Sequence, residues 1–436
     1  MTAMNPDGAS GPMIAGGGAD NPMVAAVVAC WALLFGMGLV MLGNGLQASL
    51  LGVRAMLEGF PTTATGFVMS GYFAGFAAGS TLAPKLVARV GHIRVFAALA
   101  SLASVVALLH VVFLTPVSWT AMRLATGFCY AGIYVVAESW LNDRVTNELR
   151  GQLLSVYMVV GLAGMAAGPL LLNAADPGGF LLFVAVSILV SLALVPILLT
   201  ASPAPRFDTT AKVSLRQLYR ISPLGVLGCV ATGLSNGALV GMGTVYAENA
   251  GLSLVQISFF MSAAILGGVA LQWPIGHLSD RFDRRRVMTV VTLAAALAAG
   301  AAVPVAGHSV WGLLVLVCLF GALSFPVYSL SLAHTNDHLT PEQMVGASSS
   351  LVLVTGAGAT LGPIGVALAM THLGTAGFFW FLVLVHVALG GFALYRMTRR
   401  AGMPTEEQGP HVYVPRTSPV AVAIALESAQ DQTPDA

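Results

Sequence analysis

Long apolar runs separated by short polar turns make up nearly all of the chain between residues 23 and 396. A helix needs roughly 20 predominantly apolar residues to cross a bilayer. Runs of that kind lie at 23–50, 63–84, 95–114, 118–140, 151–173, 180–200, 223–248, 255–276, 287–305, 310–333, 345–371 and 376–396. They predict twelve membrane helices, span 1 to span 12. The runs are continuous and not alternating, which excludes a transmembrane β-barrel.

An even number of spans puts both termini on one side. Of the nineteen Lys and Arg residues, Arg54 falls after span 1 and Arg123 inside span 4. The other seventeen fall in even-numbered connections, the central linker and the C-terminal tail. The positive-inside rule assigns those segments to the cytoplasm. The expected location is a bacterial inner membrane, crossed many times, with both termini cytoplasmic. Charge is densest between spans 8 and 9, where six of the seven residues from Asp280 to Arg286 are charged.

The chain also resembles itself. At a shift of 192, Asn44-Gly45 returns as Asn236-Gly237, Gly59 as Gly251, Gly75 as Gly267 and Arg89 as Arg281. Further on the shift is 194: Gly127 returns as Gly321, Tyr134 as Tyr328, Asn142-Asp143 as Asn336-Asp337 and Gly168-Pro169 as Gly362-Pro363. The fold class is therefore an all-α membrane protein, twelve transmembrane helices in two pseudo-symmetric six-helix bundles. The bundles occupy 23–200 and 223–397, joined by a basic cytoplasmic linker at 201–222. Residues 1–22 are Gly-rich and lack Lys and Arg, so they read as a polar tail and not a signal. The tail at 398–436 is polar and reads as disordered. Parallel halves of this kind are a transporter architecture, with substrate held at mid-membrane between them.

Composition agrees with this. Hydrophobic residues are 57% and charged residues 8% of the chain, against about 25% charged in ordinary soluble domains. A net charge of +1 gives no reason to expect nucleic acid as a partner. Cys30, Cys129, Cys229 and Cys318 lie in apolar runs without a C-x-x-C pair and read as buried free thiols. No metal, cofactor or enzyme activity is expected, because the spans carry no HExxH or clustered His/Asp set. No Walker loop is present, so ion coupling is the expected energy source, most simply protons.

Several motifs resemble the major facilitator superfamily. Gly276, Leu278, Asp280, Arg281, Arg284 and Arg285 match its cytoplasmic signature G-x-L-x-D-R-x-G-R-R/K, with Asp283 in place of Gly. The turn after span 2 keeps Leu86, Arg89 and Gly91 but has Ala88 where the Asp belongs. In span 4, Arg123 and Gly127 match R-x-x-Q-G, with Thr126 replacing Gln. In span 5, Gly164, Gly168 and Pro169 match the start of the antiporter signature, while Leu172 and Asn173 replace its last glycines. The stretches LGNGLQASLLGVRA and AESWLND are similar to bacterial YcaD-type permeases. The resemblance implies a monomeric transporter of a small molecule, with spans 1, 4, 7 and 10 around a central cavity.

The candidate residues follow. Arg123 is the one Lys or Arg deep in a span, and intramembrane charge by default marks function. It reads as an anion-binding or proton-coupling group, or as a structural Arg on backbone carbonyls. Glu138, fifteen residues on, is roughly 22 Å away along a straight helix. It reads as protonatable, as a gate partner or as an interfacial acid. Asn44, Gln47 and Asn236 could hydrogen-bond substrate or neighbouring helices; Tyr134 and Tyr328 could line the cavity or pack. Gln272 and Trp273 read as interface markers, and His110 and His386 as satisfied structural histidines. Gly164, Gly168, Pro169, Gly362 and Pro363 serve helix packing. At the gate, the resemblance implies that Asp280 faces the start of span 5 near Gly151 and Gln152, with Arg150 as ion partner. Arg284 is expected to pair with Asp337. The expected function is export by proton antiport through alternating access. Import of a metabolite is the alternative, and a non-transporting sensor or scaffold is the reading from another class.

Overall fold

The computed structural model describes residues 22–144, 147–199, 213–399, 404 and 408, without side chains at 142–144, 147, 148, 341, 342 and 345. The expected N-terminal tail, most of the linker and most of the C-terminal tail lie outside the described residues.

Among the described residues every regular element is helical. Span 1 is Pro22–Ala29 with Trp31–Leu57, span 2 Thr62–Val90, span 3 His92–Val112, span 4 Pro116–Arg144. Span 5 is Asn147–Ala167, which tightens into a 3₁₀ turn at Gly168–Ala174; span 6 is Leu181–Leu199. After a short linker helix, Leu215–Ile221, span 7 is Pro223–Asn249. Span 8 is Leu254–Ala270 with Gln272–Arg281, and span 9 is Arg284–Ala306. Span 10 is Val310–Ser324 with Pro326–Asn336, span 11 Pro341–Leu373 and span 12 Gly377–Arg399.

Eleven of the described helices are long and apolar enough to cross a membrane. Span 2 falls short by composition, because Thr62, Thr63, Thr65, Ser70, Ser80, Thr81, Lys85 and Arg89 interrupt it. It nevertheless runs 29 residues as one helix. Span 1 is longer than expected. Arg54 therefore belongs to its last turn and not to a loop, where it pairs with Glu58 at 2.6 Å and donates to the Pro177 carbonyl at 3.3 Å.

Lipid tails are as apolar as Leu, so helices in a bilayer associate through close packing and small residues. The glycines show where. A side chain at Gly75 would strike the Leu124 carbonyl of span 4, and one at Gly127 the Tyr72 carbonyl of span 2. The repeat reproduces both approaches: Gly267 meets the Cys318 carbonyl, and Gly321 the Ala264 carbonyl. Gly45 abuts the Met165 carbonyl and Gly168; Gly237 abuts the Ala359 carbonyl, and Gly362 abuts Gly237. Gly59 and Gly251 both turn the chain with positive φ, 70° and 76°.

Two apolar clusters join the halves. The one toward the arginine-rich turn, the basic side, holds Tyr134, Leu141 and Tyr157 with Val226, Tyr328 and Leu351. The one toward the opposite side holds Leu50, Met69 and Trp119 with Met242, Phe260 and Val366. Closer contacts between halves gather on the opposite side. Gly66 abuts Ala367 and the Pro363 carbonyl, and Asn173 Nδ2 donates to Ser258 Oγ at 3.0 Å. Ser262 Oγ donates to the Ala166 carbonyl at 2.7 Å.

Gly75→Ala should destabilise the protein by about 1–3 kcal/mol, because the added methyl overpacks a backbone contact. Gly391→Ala, where a methyl meets nothing within 4 Å, should be neutral or slightly stabilising. Unfolding of the two purified variants in detergent checks this, and equal stabilities would contradict it.

Candidate functional site

Arg123, Gly127, Tyr130, Tyr134 and Glu138 recur at three- and four-residue intervals and so share one face of span 4. The glycine approaches press that face against span 2. Gly71 meets the Arg123 β-carbon, and the guanidinium carbon lies 4.4 Å from the Tyr72 ring centroid. A desolvated cation over an aromatic face is worth about 2 kcal/mol. Arg123 is 3% exposed. Among the described residues it has no ion pair, and its Nε and Nη1 meet no acceptor. The structural reading, a guanidinium capped by backbone carbonyls, is thus not what these two nitrogens show.

Asn44 locks the neighbouring rings. Its Nδ2 donates to Tyr72 Oη at 3.0 Å and Tyr134 Oη at 3.3 Å. Tyr134 Oη in turn donates to the Met41 sulfur at 3.0 Å. The Tyr130 ring lies 6.3 Å from both Tyr72 and Tyr134, and Phe76 lies 5.7 Å from Tyr134. Gln47, one turn beyond Asn44, is buried with Nε2 lacking a partner. Across in the other half, Asn236 Oδ1 and buried Tyr328 occupy the repeat-equivalent places. Arg123, Asn44 and Tyr134 thus form one cluster.

Glu138 is separate from it. The acid is fully buried and accepts from Tyr157 Oη at 3.2 Å, so it is not an interfacial acid. Its helix end is near the turn, but span 5 covers it. Gln272 is likewise buried and donates to Ser329 Oγ at 3.0 Å, while Trp273 is 76% exposed. Only the second fits an interface marker. His386 is held by the Leu382 carbonyl and Ser324. His110 Nδ1 meets the Val106 carbonyl, but its Nε2 has no partner, so it is only half satisfied. Cys30, Cys129, Cys229 and Cys318 form no disulfide among the described residues; the first three are buried and Cys318 is half-buried.

At the basic turn Arg284 is the centre. It is 1% exposed, donates to the Ala333 carbonyl at 3.2 Å and pairs with Asp337, as expected. Asp280 accepts from Arg284 Nη2 at 3.3 Å, a contact inside the C-terminal half. Arg281 and Arg89 are exposed, Arg150 is half-buried and Gly276 is buried, its carbonyl accepting from Ser279. A small cleft opens here, lined among others by Arg284, Arg285, His334, His338 and Arg396. Arg123 is not among the residues that line it.

The family model described as Major Facilitator Superfamily matches residues 33–275 and 226–428. The chain belongs to the major facilitator superfamily. Among its relatives, one named "Uncharacterized MFS-type transporter YcaD" from Escherichia fergusonii is 28% identical over 87% of this chain and 97% of its own length. "Uncharacterized MFS-type transporter Ent638_1421" from Enterobacter sp. (strain 638) is 30% identical over 85% of this chain and 95% of its own length. The solved nucleoside transporter NupG shares the fold with a TM-score of 0.70 at 13% identity, covering 85% of this chain and 100% of NupG. A bacterial homolog of the human lysosomal transporter Spinster, inward-facing and occupied, gives 0.69 at 14% identity, covering 89% and 99%. As a superfamily member the chain is a multi-pass secondary transporter with the twelve-helix, two-bundle fold.

The superfamily turn departs from its pattern at Asp283, and the structure shows what the change does. The first copy of the turn has Gly91 there, with φ 93°. Asp283 instead caps span 9, accepting from the Arg285 amide at 2.9 Å and from its guanidinium at 3.1 and 2.8 Å. Partial burial pushes the Asp283 carboxyl up, but the Arg285 hydrogen bonds and the Arg285 and Arg286 charges outweigh it and hold the group below its ordinary range. Sequence reasoning missed this cap, although Asp before a helix is its usual signal. It also missed Tyr72, Tyr130 and Tyr157. For Tyr130 the spacing to Arg123 and Tyr134 was the available clue.

Asp283→Ala should cost about 0.5–2 kcal/mol as a lost cap. Asp283→Asn keeps a capping oxygen but no charge. A depressed carboxyl stabilises above its unfolded pKa and loses that contribution as pH falls through its folded pKa. The gap between wild type and Asp283→Asn should therefore be open at neutral pH and close in acid below the ordinary carboxylate range. Unfolding midpoints across pH measure it; a gap that persists unchanged in acid would contradict the assignment.

Proposed function

We propose that this protein exports a small organic molecule by proton antiport, its two halves rocking about a site at Arg123, Asn44, Gln47, Tyr134, Asn236 and Tyr328. One observation carries the reading. A guanidinium is buried at depth in a span, among the described residues without a counter-charge, beside an aromatic ring that an amide holds, on a helix of the kind that lines the superfamily's cavity. Such burial costs several kcal/mol, and a binding site is the reason to keep it. Twin halves packed through repeat-equivalent glycines support the rocking motion.

The proton is assigned to Glu138. Its carboxyl is buried in span 4 and accepts a hydrogen bond from Tyr157 Oη. Export is read from Gly164, Gly168 and Pro169, the partial antiporter signature. These residues also pack span 5 on span 1, so direction of flux is what separates export from import. Asp280 and Arg150, with Arg89, Arg281 and Arg285 around them, are assigned to a latch on the basic side, taken as cytoplasmic. An anion near a helix N-terminus gains about 0.3–1 kcal/mol.

Metabolites that accumulate in a deletion strain supply the compounds to test in proteoliposomes. Wild type should drive their flux from a proton gradient; Arg123→Ala should lose it, and Glu138→Gln should uncouple it from pH. Wild-type flux in Arg123→Ala at normal protein levels would remove the site. Flux indifferent to the gradient would remove proton coupling. Asp280→Asn should raise the labelling of a cysteine placed beside Asn44 from the basic side; unchanged labelling would remove the latch.

A further inference from the structure

We infer that the site around Arg123 takes an organic carboxylate with a ring-sized apolar body. The inference rests on the transport reading above and adds the class of substrate.

The reason is a surplus of donors with no acceptor. Arg123 Nε and Nη1 and Gln47 Nε2 are all buried and all lack a hydrogen-bond partner. Tyr130 Oη is buried and without a partner as well. A buried donor left unmade costs about 1–3 kcal/mol, and more when it is charged. Among the described residues, the neighbouring groups do not resolve the surplus. Asn44 spends Nδ2 on Tyr72 and Tyr134, and Tyr134 spends its proton on Met41. The Tyr72 ring offsets part of the charge but accepts no hydrogen bond from the two open nitrogens.

The guanidinium stays charged at any physiological pH. A neutral ligand carbonyl would satisfy one donor and leave the charge uncompensated. An amine would add a second positive charge beside the first. A carboxylate supplies both missing items, acceptor lone pairs and the counter-charge, and suits the planar donors of Arg. The body of the ligand is read from the neighbouring rings. Tyr72, Phe76, Tyr130 and Tyr134 form a continuous chain of ring contacts with centroids 5.7–6.3 Å apart. A flat or apolar body gains from such faces. The open atom of the other half, Asn236 Oδ1, is an acceptor. With Asn236 in the same site, as proposed above, it calls for a donor on the ligand, such as a hydroxyl.

Matched probes test this on the full-length protein in detergent. Benzoate, phenylacetate and 4-hydroxyphenylacetate are each compared with their amide and amine counterparts by thermal unfolding. A ligand that binds only the folded state raises the midpoint in proportion to its affinity. The carboxylates should give saturable upward shifts, largest for the hydroxylated one, and the amides and amines should give none. Arg123→Gln should erase the difference and Arg123→Lys should keep part of it. If Arg123→Gln does not fold, the wild-type preference decides alone. Equal or larger shifts from amides or amines, or no saturable shift from any of the three carboxylates by about 10 mM, would overturn the inference. Counterflow in liposomes separates it from the transport reading. An amine that binds and is carried leaves transport standing and removes the anion class. A carboxylate that binds but is never carried does the reverse.

Discussion

The backbone contact between spans 2 and 4 is what the central site depends on. Glycine at 71, 75, 79 and 127 lets the two helices touch at Thr120, Leu124, Phe128 and Tyr72. With side chains at those positions the helices would stand apart. Arg123 would then no longer lie on the Tyr72 ring, and Tyr72 would move away from Asn44. In a bilayer no hydrophobic gain between helices could repair the gap, because lipid fills it equally well. The polar cluster is therefore a consequence of backbone packing and not its cause.

The same packing is kept in both halves, while the chemistry is not. At the repeat-equivalent positions of Arg123, Tyr72, Glu138 and Tyr157 the second half has Val317, Ala264, Leu332 and Leu351. Only Asn44 and Tyr134 have chemical counterparts, Asn236 and Tyr328. The basic turns show the opposite bias. Arg284, held by the Ala333 carbonyl and Asp337, stands where the first half has His92, bonded to Ser139. Asp280 and Asp283 stand where the first half has Ala88 and Gly91. One half has specialised in the buried cluster and the other in the ionic turn.

That division explains which parts were legible in the sequence. The twelve runs, the repeat, the glycine pairs and Arg123 each carry a signal in residue type alone. Tyr72 and Tyr157 do not. Each is the one tyrosine of its helix, without a repeat mate, and its role comes from which neighbour it faces. Spans that are apolar on every side give no moment from which to read that facing. Burial of Glu138 and Gln272 was hidden for the same reason. A polar residue near a helix end looks interfacial until the helix covering it is known.

For alternating access, the distribution of strong interactions matters more than their number. Arg123, Tyr72, Asn44 and Tyr134 interact within the first half. Arg284, Asp337, Asp280, Asp283 and Arg285 interact within the second. Two hydrogen bonds that do join the halves, Asn173 to Ser258 and Ser262 to the Ala166 carbonyl, are between neutral groups. Neutral hydrogen bonds are worth about 0.5–1.5 kcal/mol each. Charge-assisted contacts cost roughly twice as much to break. Among these contacts, each half keeps its own polar network, and the two named between the halves are neutral. A ligand bound at the site proposed around Arg123 would change that balance, because it would add a charged contact there.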